Sequence, residues 1–512
     1  FKLVIEEHRM SVVFLFDAFQ TIFSDPYSLM FILIGVTAGV VVGCLPGLTA
    51  TMGCALLVPF TFSLDPVQGL LMLMGIFTGG IYGGSISGIL IRTPGTPAAA
   101  ATLIDGYPLA LKGEAGKAIG IATIASFVGG VIGALIMAFL APEIAQFGLR
   151  FGPAEFFALA VFGLTMIISI SGESLLKGAI AALFGLLLTT IGFDPLSGVP
   201  RFSFGNENLL GGITFIPALI GLFGFAQVFR NIEKMEITPH VKSKVGKILP
   251  SFKEIKSLFP TMLKSGGMGT FTGSVPGLGA DVAAFVAYGE AKRTSKHPEE
   301  FGKGALEGVA APEAANNGAT GGAMIPMLTL GVPGDAVTAV LLGALTIHGF
   351  QPGPLMFRDN LDIVYPIFAG MILCQFVLLF VGLSGARLFA KLINIDNKVL
   401  TPIIFLLCIV GSYSMRFSFW DVGLALTIGV LAYFMERAKF PVSPILLALI
   451  LGPMAEQNMR RALMLSHDDP SIFLTRPLSA AFLILAVFMA VTSYKKFKKL
   501  REIERDLTKS GS

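Results

Sequence analysis

Apolar runs long enough to cross a bilayer recur along almost the whole chain, and they restrict its fold more than any other feature. A helix that spans the hydrocarbon core needs roughly 17 to 25 mostly apolar residues. Clear examples are the runs 29–44, 118–141, 213–229, 363–383 and 472–491. The alternating ten-residue pattern of a membrane barrel is absent, so helices are the predicted spanning element. With 54% hydrophobic and 14% charged residues, the composition excludes a soluble globular domain.

Basic residues are concentrated in two segments, between Arg230 and Lys264 and in the C-terminal stretch 494–505. Lys and Arg are enriched in the cytoplasmic loops of membrane proteins. Both segments are therefore predicted to lie on the cytoplasmic side, with an even number of crossings between them. A generic solvated loop and tail explain these charges, with specific lipid binding as the alternative, and no nucleic-acid partner is predicted.

The two halves of the chain resemble each other at an offset of about 230 to 240 residues. Pro46-Gly47 matches Pro276-Gly277, and residues 93–102 match 332–341. We therefore predict an all-α polytopic membrane protein with about 12 transmembrane helices, plus broken or re-entrant helices, in two internal repeats. The first half contains about six or seven crossings, and an odd number would invert the second repeat, which is the arrangement we favour.

The basic loop after residue 230 is the natural divider between the halves. The predicted organisation has five parts: an N-terminal segment (1–28), a first transmembrane repeat (29–230), a basic cytoplasmic linker (231–260), a second transmembrane repeat with additional helices (261–493) and a basic cytoplasmic tail (494–512).

Four Pro-Gly pairs interrupt apolar sequence, at Pro46-Gly47, Pro94-Gly95, Pro276-Gly277 and Pro333-Gly334. Proline removes a backbone donor and glycine permits left-handed backbone, so each pair ends or breaks a helix. Freed backbone groups inside a bilayer are costly unless protein, water or solute satisfies them. We therefore predict that the four breaks line one cavity, with ordinary proline kinks as the alternative for any single break.

The helical stretch that follows each break has free N–H groups and a positive dipole end, which suit an anion. Polar residues near the breaks offer amide and hydroxyl groups that suit a carboxylate or sodium. The candidate substrate-binding residues are Pro46, Gly47, Ser85, Ser87, Thr93, Pro94, Gly95, Thr96, Pro276, Gly277, Asn316, Asn317, Pro333 and Gly334.

A second set of residues is predicted to bind a coupling ion, either sodium or a proton. Its members are polar or acidic and lie near the second-half breaks: Asp281, Glu313, Asn317, Thr320 and Asp335. Glu313 is an intramembrane acid of the kind that transfers protons in transporters, or else a residue near the membrane surface. Asp281 and Asp335 each follow a Pro-Gly pair, where simple helix capping is the alternative. No catalytic residue, cofactor or metal other than a possible sodium ion is predicted.

Several motifs together resemble one family of transporters. They are "GCLPGL" (43–48), residues 82–118 with "TPGTPAAAATLIDGYP", residues 312–345 with "PEAANNGATGG" and "LGVPGD", and "SIFLTRPLSA" (471–480). These stretches resemble the large membrane subunit of the tripartite tricarboxylate transporters, the TctA family. The resemblance extends from about residue 10 to the end of the chain.

The resemblance implies a permease in the bacterial cytoplasmic (inner) membrane that imports an organic carboxylate, driven by a sodium or proton gradient. It also implies two partners, a small four-helix membrane subunit and a periplasmic solute-binding protein. Asp281 and Asp335 stand where the citrate type has small hydroxyl or apolar residues. A dicarboxylate, another organic acid or an amino acid therefore stays open as the substrate.

Three other functions compete with this one: a stand-alone carboxylate carrier, a passive channel and a membrane-embedded enzyme. An enzyme is the least favoured, because the five histidines are scattered and no arrangement of nucleophile, base and orienting group is recognisable. The chain also lacks the G-x-x-x-x-G-K-[ST] motif, so it does not bind ATP in that way.

Overall fold

The computed structural model describes residues 2–170, 174–233 and 245–510. Part of the predicted linker, 234–244, therefore lies outside the described residues. The first half contains ten helices in its described part: α1 (Lys2–Ser24), α2 (Pro26–Cys44), α3 (Ala50–Thr61), α4 (Pro66–Ile91), α5 (Leu103–Leu111), α6 (Ala115–Gly148), α7 (Pro153–Ile170), α8 (Leu175–Thr189), α9 (Phe215–Leu219) and α10 (Ala226–Glu233). A π-helical turn, 220–225, joins α9 to α10, and a 3₁₀ turn, Pro97–Ala100, precedes α5.

The second half continues with helices of similar lengths. They are α11 (Phe252–Gly273), α12 (Gly279–Thr294), α13 (Glu307–Leu330), α14 (Ala336–Ile347), α15 (Met356–Asp359), α16 (Leu361–Leu392), α17 (Asn397–Ser414), α18 (Phe419–Arg437), α19 (Ser443–Leu465), α20 (Ile472–Thr475) and α21 (Pro477–Ser510). Two short strands, β1 (Gly192–Phe193) and β2 (Pro200–Arg201), pair antiparallel in the loop after α8.

Seven helical segments of the described chain are long and apolar enough to cross a membrane. The protein is therefore a multi-pass helical membrane protein. Six shorter apolar helices of 10–17 residues, α3 and α14 among them, fall below that length. The expected number of about twelve crossings stays a prediction. The apolar run 472–491 is interrupted at Arg476, where α20 ends and α21 begins.

Helices α2 and α3 form a hairpin against α4, which we call hairpin 1. A Cβ atom on Gly35, Gly39 or Gly43 would lie within 2.6 Å of a main-chain oxygen of α4, so α2 and α4 run parallel in backbone contact. Helix α3 returns along α4, from Ala50 beside Gly80 to Thr61 beside Gly69. Residues 45–49 therefore form the tip of hairpin 1. The start of α2 and the end of α3 form its open end, which lies on the side of Asp25.

Helices α11 and α12 form a second hairpin, hairpin 2, against α13. A Cβ atom on Gly269 or Gly273 would lie within 2.4 Å of a main-chain oxygen of α13, so α11 and α13 also run parallel. Lys264 of α11 pairs with Glu290 of α12 at 2.6 Å, which places the end of α12 beside the middle of α11. The tip of hairpin 2 is residues 274–278.

The two hairpins enter the protein from opposite sides. Helix α6 lies parallel to α13, where Gly129 and Gly133 contact Ala314 and Gly318. Helix α16 lies parallel to α4 and antiparallel to α6, as the neighbours of Gly370, Gly130 and Gly382 show. Hence α4 and α13 run in opposite directions. Hairpin 1 opens to the Asp25 side, and hairpin 2 opens to the opposite Lys117 side, where Lys117 of α6 pairs with Glu254 of α11 at 3.2 Å.

The remaining helices surround this central unit. Arg476 pairs with Glu155 at 2.6 Å, so α21 begins beside the start of α7 on the Asp25 side and leads to the Lys117 side. The stretch 245–256 also lies on the Lys117 side, since Lys247 and Ile248 contact α6 near its start. The described stretch 245–256 of the first basic segment and the end of α21 therefore lie on one side of the molecule.

A buried carboxylate on α5 holds the base of hairpin 2. Asp105 Oδ1 accepts hydrogen bonds from the backbone N–H groups of Gly302, Gly304 and Ala305, each at 2.8 Å. Asp105 Oδ2 accepts one from the Tyr288 hydroxyl at 2.9 Å. The loop between α12 and α13 is thus fixed to the first half of the chain.

Replacing Asp105 with alanine is expected to lower the thermal stability of the protein by several degrees. The change leaves three N–H groups without an acceptor, of which that of Ala305 is on a buried residue, and a buried unsatisfied group costs about 1–3 kcal/mol. Asp105→Asn keeps an oxygen for them and is the matched control. Thermal unfolding of the solubilised protein, followed by fluorescence-detected size exclusion, measures the effect. Equal melting temperatures for Asp105→Ala and the wild type would contradict this assignment.

Candidate functional site: a cavity between two hairpin tips

Each hairpin tip turns at a glycine in the left-handed backbone region. Gly47 has φ +87° and Gly277 has φ +88°. A residue with a side chain is strained there by about 1–2 kcal/mol, which explains the glycine of each Pro-Gly pair. The tip of hairpin 1 lies level with Gly80, roughly 20 Å along α4 from its start. In a hydrocarbon layer about 30 Å thick, that position is well inside the membrane.

Each hairpin contacts the second Pro-Gly segment of its own half. The Gly277 N–H, in the tip of hairpin 2, donates to the Gly334 carbonyl at 2.7 Å. Gly95 lies against the end of α2 so closely that a Cβ atom on it would be 1.8 Å from the Gly43 carbonyl oxygen. In each half the second Pro-Gly segment therefore packs against the hairpin.

All four interrupted segments line one cavity of about 860 Å³. Gly47 and Gly277 contribute the tips, and Thr96 and Asp335 contribute the other two segments. The outer helices α10, α18 and α19 complete the lining, with Arg230 and Glu436 in contact as an ion pair. The four interrupted segments therefore meet at one cavity, which is what we expected of the four breaks.

Three helices begin at this cavity. The first turns of α3, α12 and α14 supply lining residues at 50–52, 279–282 and 336–337. Thr49 caps α3 by accepting from the Met52 N–H at 3.2 Å, and Asp335 caps α14 by accepting from the Thr338 N–H at 2.8 Å. Because helix N-termini leave further N–H groups free and have a positive dipole end, the cavity can stabilise a carboxylate.

The structure separates the candidate residues into two groups. Those that line the cavity are Gly47, Thr96, Gly277, Asp281 and Asp335. The others lie behind or beside it: Ser85, Ser87, Gly95, Glu313, Asn316, Asn317, Thr320, Pro333 and Gly334 are buried, Pro46, Pro94 and Pro276 are partly buried, and Thr93 is exposed.

Glu313 is the centre of a buried polar cluster behind the cavity. Thr102 donates to Glu313 Oε1 at 2.6 Å, and Ser126 donates to Oε2 at 2.9 Å. The Asn316 amide donates to Oε1 at 3.2 Å and in turn accepts from the Asn317 amide at 3.0 Å. The cluster connects α13 to α6 and to the segment before α5. Glu313 is therefore fully enclosed by protein.

Two buried oxygens near the breaks lack hydrogen-bond partners within the described part of the chain. They are Asn317 Oδ1 and Thr96 Oγ1. A buried, unsatisfied polar atom calls for an explanation such as a bound ion or water. Asn317 therefore stays a candidate for the coupling ion.

Sequence reasoning missed part of the lining. Thr49 and Thr51 follow the first Pro-Gly pair directly and could have been found by extending the motif by four residues. Gln227, Arg230 and Glu436 gave no such signal, because Arg230 and Glu436 are 206 residues apart and each lies near a helix end. One exposed group within the described ranges could hold a metal, His297 with Glu299 and Glu300, and it lies outside the cavity.

Comparison with known proteins decides the family. The model of the Tripartite tricarboxylate transporter TctA family matches residues 29–447. The chain belongs to the TctA family. The matched range includes both hairpins and every residue that lines the cavity, up to Leu447. The resemblance seen in the sequence motifs is confirmed, and membership of TctA points to a transporter subunit rather than an enzyme.

Two relatives are proteins of Agrobacterium vitis. One, an uncharacterized 52.8 kDa protein in the TAR-I ttuC' 3' region, is 37% identical over 466 residues, which cover 91% of this chain and 93% of the relative. The other, an uncharacterized protein in the TAR-II ttuC' 3' region, is 36% identical over 223 residues, which cover 44% of this chain and 92% of the relative.

Proposed function

We propose that this TctA protein is the permease subunit of a three-part, binding-protein-dependent secondary transporter that imports an organic carboxylate. A small four-helix membrane subunit and a periplasmic solute-binding protein are its partners, and a sodium or proton gradient drives it. The observation that supports this proposal best is the cavity at the two hairpin tips. Broken helices at membrane depth, with N-termini directed at a cavity, are the physical form of a transporter binding site.

The two halves are proposed to be inverted repeats. Hairpin 1 with α4 corresponds to hairpin 2 with α13, and the two units run in opposite directions. The Lys117 side is assigned to the cytoplasm, because the stretch 245–256 and the end of α21 lie there and the positive-inside rule applies. The protein then sits in the bacterial inner membrane, with hairpin 1 opening to the periplasm and hairpin 2 to the cytoplasm.

Five residues are proposed to serve the coupling ion. Asp281 and Asp335 line the cavity, and Glu313, Asn317 and Thr320 lie on α13 behind it. Sodium binding would use the amide and hydroxyl oxygens of α13, whereas proton coupling would use Glu313. In both schemes the ion lies on α13, which packs against hairpin 2, and the tip of hairpin 2 lines the cavity.

The test is solute uptake into vesicles that contain the permease and the small subunit, with the binding protein added outside. We expect uptake that requires the binding protein and is lost when either the sodium or the proton gradient is collapsed. Uptake that continues down the solute's own gradient after both ion gradients collapse would indicate a channel. Uptake that does not depend on the binding protein would indicate a stand-alone carrier.

A further inference from the structure

The charged residues of the cavity are unevenly distributed. Four charged side chains lie among its described lining residues, namely Arg230, Asp281, Asp335 and Glu436. Arg230 is in contact with Glu436, so this pair is neutral as a unit. Two carboxylates remain uncompensated, and the lining has a formal charge of −2. A cavity built only to hold a di- or tricarboxylate would repel its own ligand.

Asp281 is the more informative of the two acids. It is exposed in a cavity at the first turn of α12, and it has neither a hydrogen-bond partner nor an ion-pair partner within the described residues. Asp335 differs, because its carboxylate caps α14 by binding the N–H and hydroxyl of Thr338, each at 2.8 Å. Capping therefore accounts for Asp335 but not for Asp281. An unpaired acid inside a membrane protein indicates a functional position, and a carboxylate there can bind a cationic group.

The part of the lining formed by residues 47–100 contains no charge. It offers the hydroxyls of Thr49, Thr51 and Thr96 and the N-terminus of α3. Hydroxyl and N–H donors at a helix N-terminus favour a carboxylate. One part of the lining is thus suited to an anion, and another part, at hairpin 2 and α14, is suited to a cation.

We propose that the transported carboxylate also has a cationic amino group, so that the cargo is a zwitterionic amino acid. This inference rests on the proposed transport function. The carboxylate of the cargo lies at the α3 end of the cavity, and its ammonium group lies at Asp281. For Asp281 this inference replaces the coupling-ion role proposed above and leaves that role to the other four residues. An inorganic cation bound at Asp281 beside an ordinary carboxylate is the competing explanation, and the experiment must distinguish the two.

The experiment measures binding to the purified, full-length permease in potassium chloride without sodium, by isothermal calorimetry. The probes are matched pairs that differ only in the amino group: glutamate with glutarate, aspartate with succinate, and alanine with propionate. We expect at least one amino acid to bind about tenfold or more tightly than its partner, because one ion pair in a partly desolvated site is worth at least that much. Asp281→Asn should remove this preference. Glu299→Gln removes an exposed acid outside the cavity and should leave it unchanged.

Three outcomes of the binding experiment would overturn the inference. The first is equal or tighter binding of the deaminated partner in every pair, and the second is binding of any probe only when sodium replaces potassium. The third is a preference for the amino acid that Asp281→Asn leaves intact. Uptake of a simple carboxylate in the vesicle assay would contradict the zwitterion alone and leave the transport function standing, whereas a lack of uptake for every carboxylate and amino acid would contradict the transport function itself.

Discussion

Gly334→Leu is expected to reduce uptake to less than about a tenth of the wild-type rate while the protein stays in the membrane. A Cβ atom at Gly334 would lie 2.6 Å from Ala323 Cα and 2.9 Å from the Ala323 carbonyl oxygen, so α13 or the loop before α14 must move. The Gly334 carbonyl also accepts the 2.7 Å hydrogen bond from the tip of hairpin 2. Displacing this loop separates the tip from α14 and deforms the cavity. Vesicle uptake, normalised to the amount of inserted protein, measures the effect.

Gly267→Leu is the matched control for this change. Gly267 lies on α11, and a Cβ atom there meets nothing within 4 Å. The control should transport at nearly the wild-type rate. Gly334→Ala adds a single methyl group and should give an intermediate loss. Wild-type uptake by Gly334→Leu would show that contact between the tip and α14 is not needed for transport.

Asn317→Ala should also abolish uptake, with a fall in thermal stability of no more than a few degrees. Asn317 Oδ1 is buried without a partner within the described residues, so its removal leaves no donor unsatisfied. The one hydrogen bond lost is the 3.0 Å bond that Asn316 Oδ1 accepts from the Asn317 amide, and a buried acceptor left without a donor costs about 1–3 kcal/mol. If the oxygen binds the coupling ion, the ion dependence of uptake is lost together with the rate. Uptake at several sodium concentrations and pH values, with melting temperature measured in parallel, tests this.

The control for Asn317 lies on the same helix. Thr329 is equally buried, but its hydroxyl bonds only to the Ile325 carbonyl of its own helix, at 2.7 Å. Thr329→Val should keep both uptake and ion dependence. A variant Asn317→Ala that retains the wild-type rate and the wild-type ion dependence would remove Asn317 from the coupling site. A large fall in melting temperature would instead assign it a structural role.

The central part of the fold could be predicted from sequence because its signals are local. The predicted run 29–44 corresponds to α2, and the run 118–141 corresponds to the middle of α6. The run 363–383 corresponds to about the first two thirds of α16. The Pro-Gly pairs marked helix ends because proline and glycine act on their own backbone, and the matched angles at Gly47 and Gly277 follow from that chemistry. Local rules therefore predicted both hairpin tips and the cavity between them.

The rest of the site could not be predicted, because it depends on contacts between distant residues. The donors that surround Glu313 come from α6 and from the segment before α5, 187 and 211 residues away. The ion pair of Arg230 and Glu436 closes the cavity from helices that contain no Pro-Gly signal. Burial also decides which candidates reach the cavity. Ser85 and Asn316 belong to the polar motifs near the breaks, yet neighbouring helices enclose both residues. Helical spacing predicts which face of a helix a residue occupies, but it does not predict which other helices cover that face.

Protection of engineered cysteines by the transported solute tests the central claim most directly, namely that solute occupies the cavity at the hairpin tips. The four native cysteines are buried and free, so they can first be replaced with alanine. Ala336→Cys and Ser443→Cys then place a thiol on two different helices of the cavity lining, and Phe417→Cys places one on an exposed surface outside it. We expect the solute that the vesicles take up to slow thiol labelling at both cavity positions and not at residue 417. Equal labelling rates with and without solute at both cavity positions would contradict the claim.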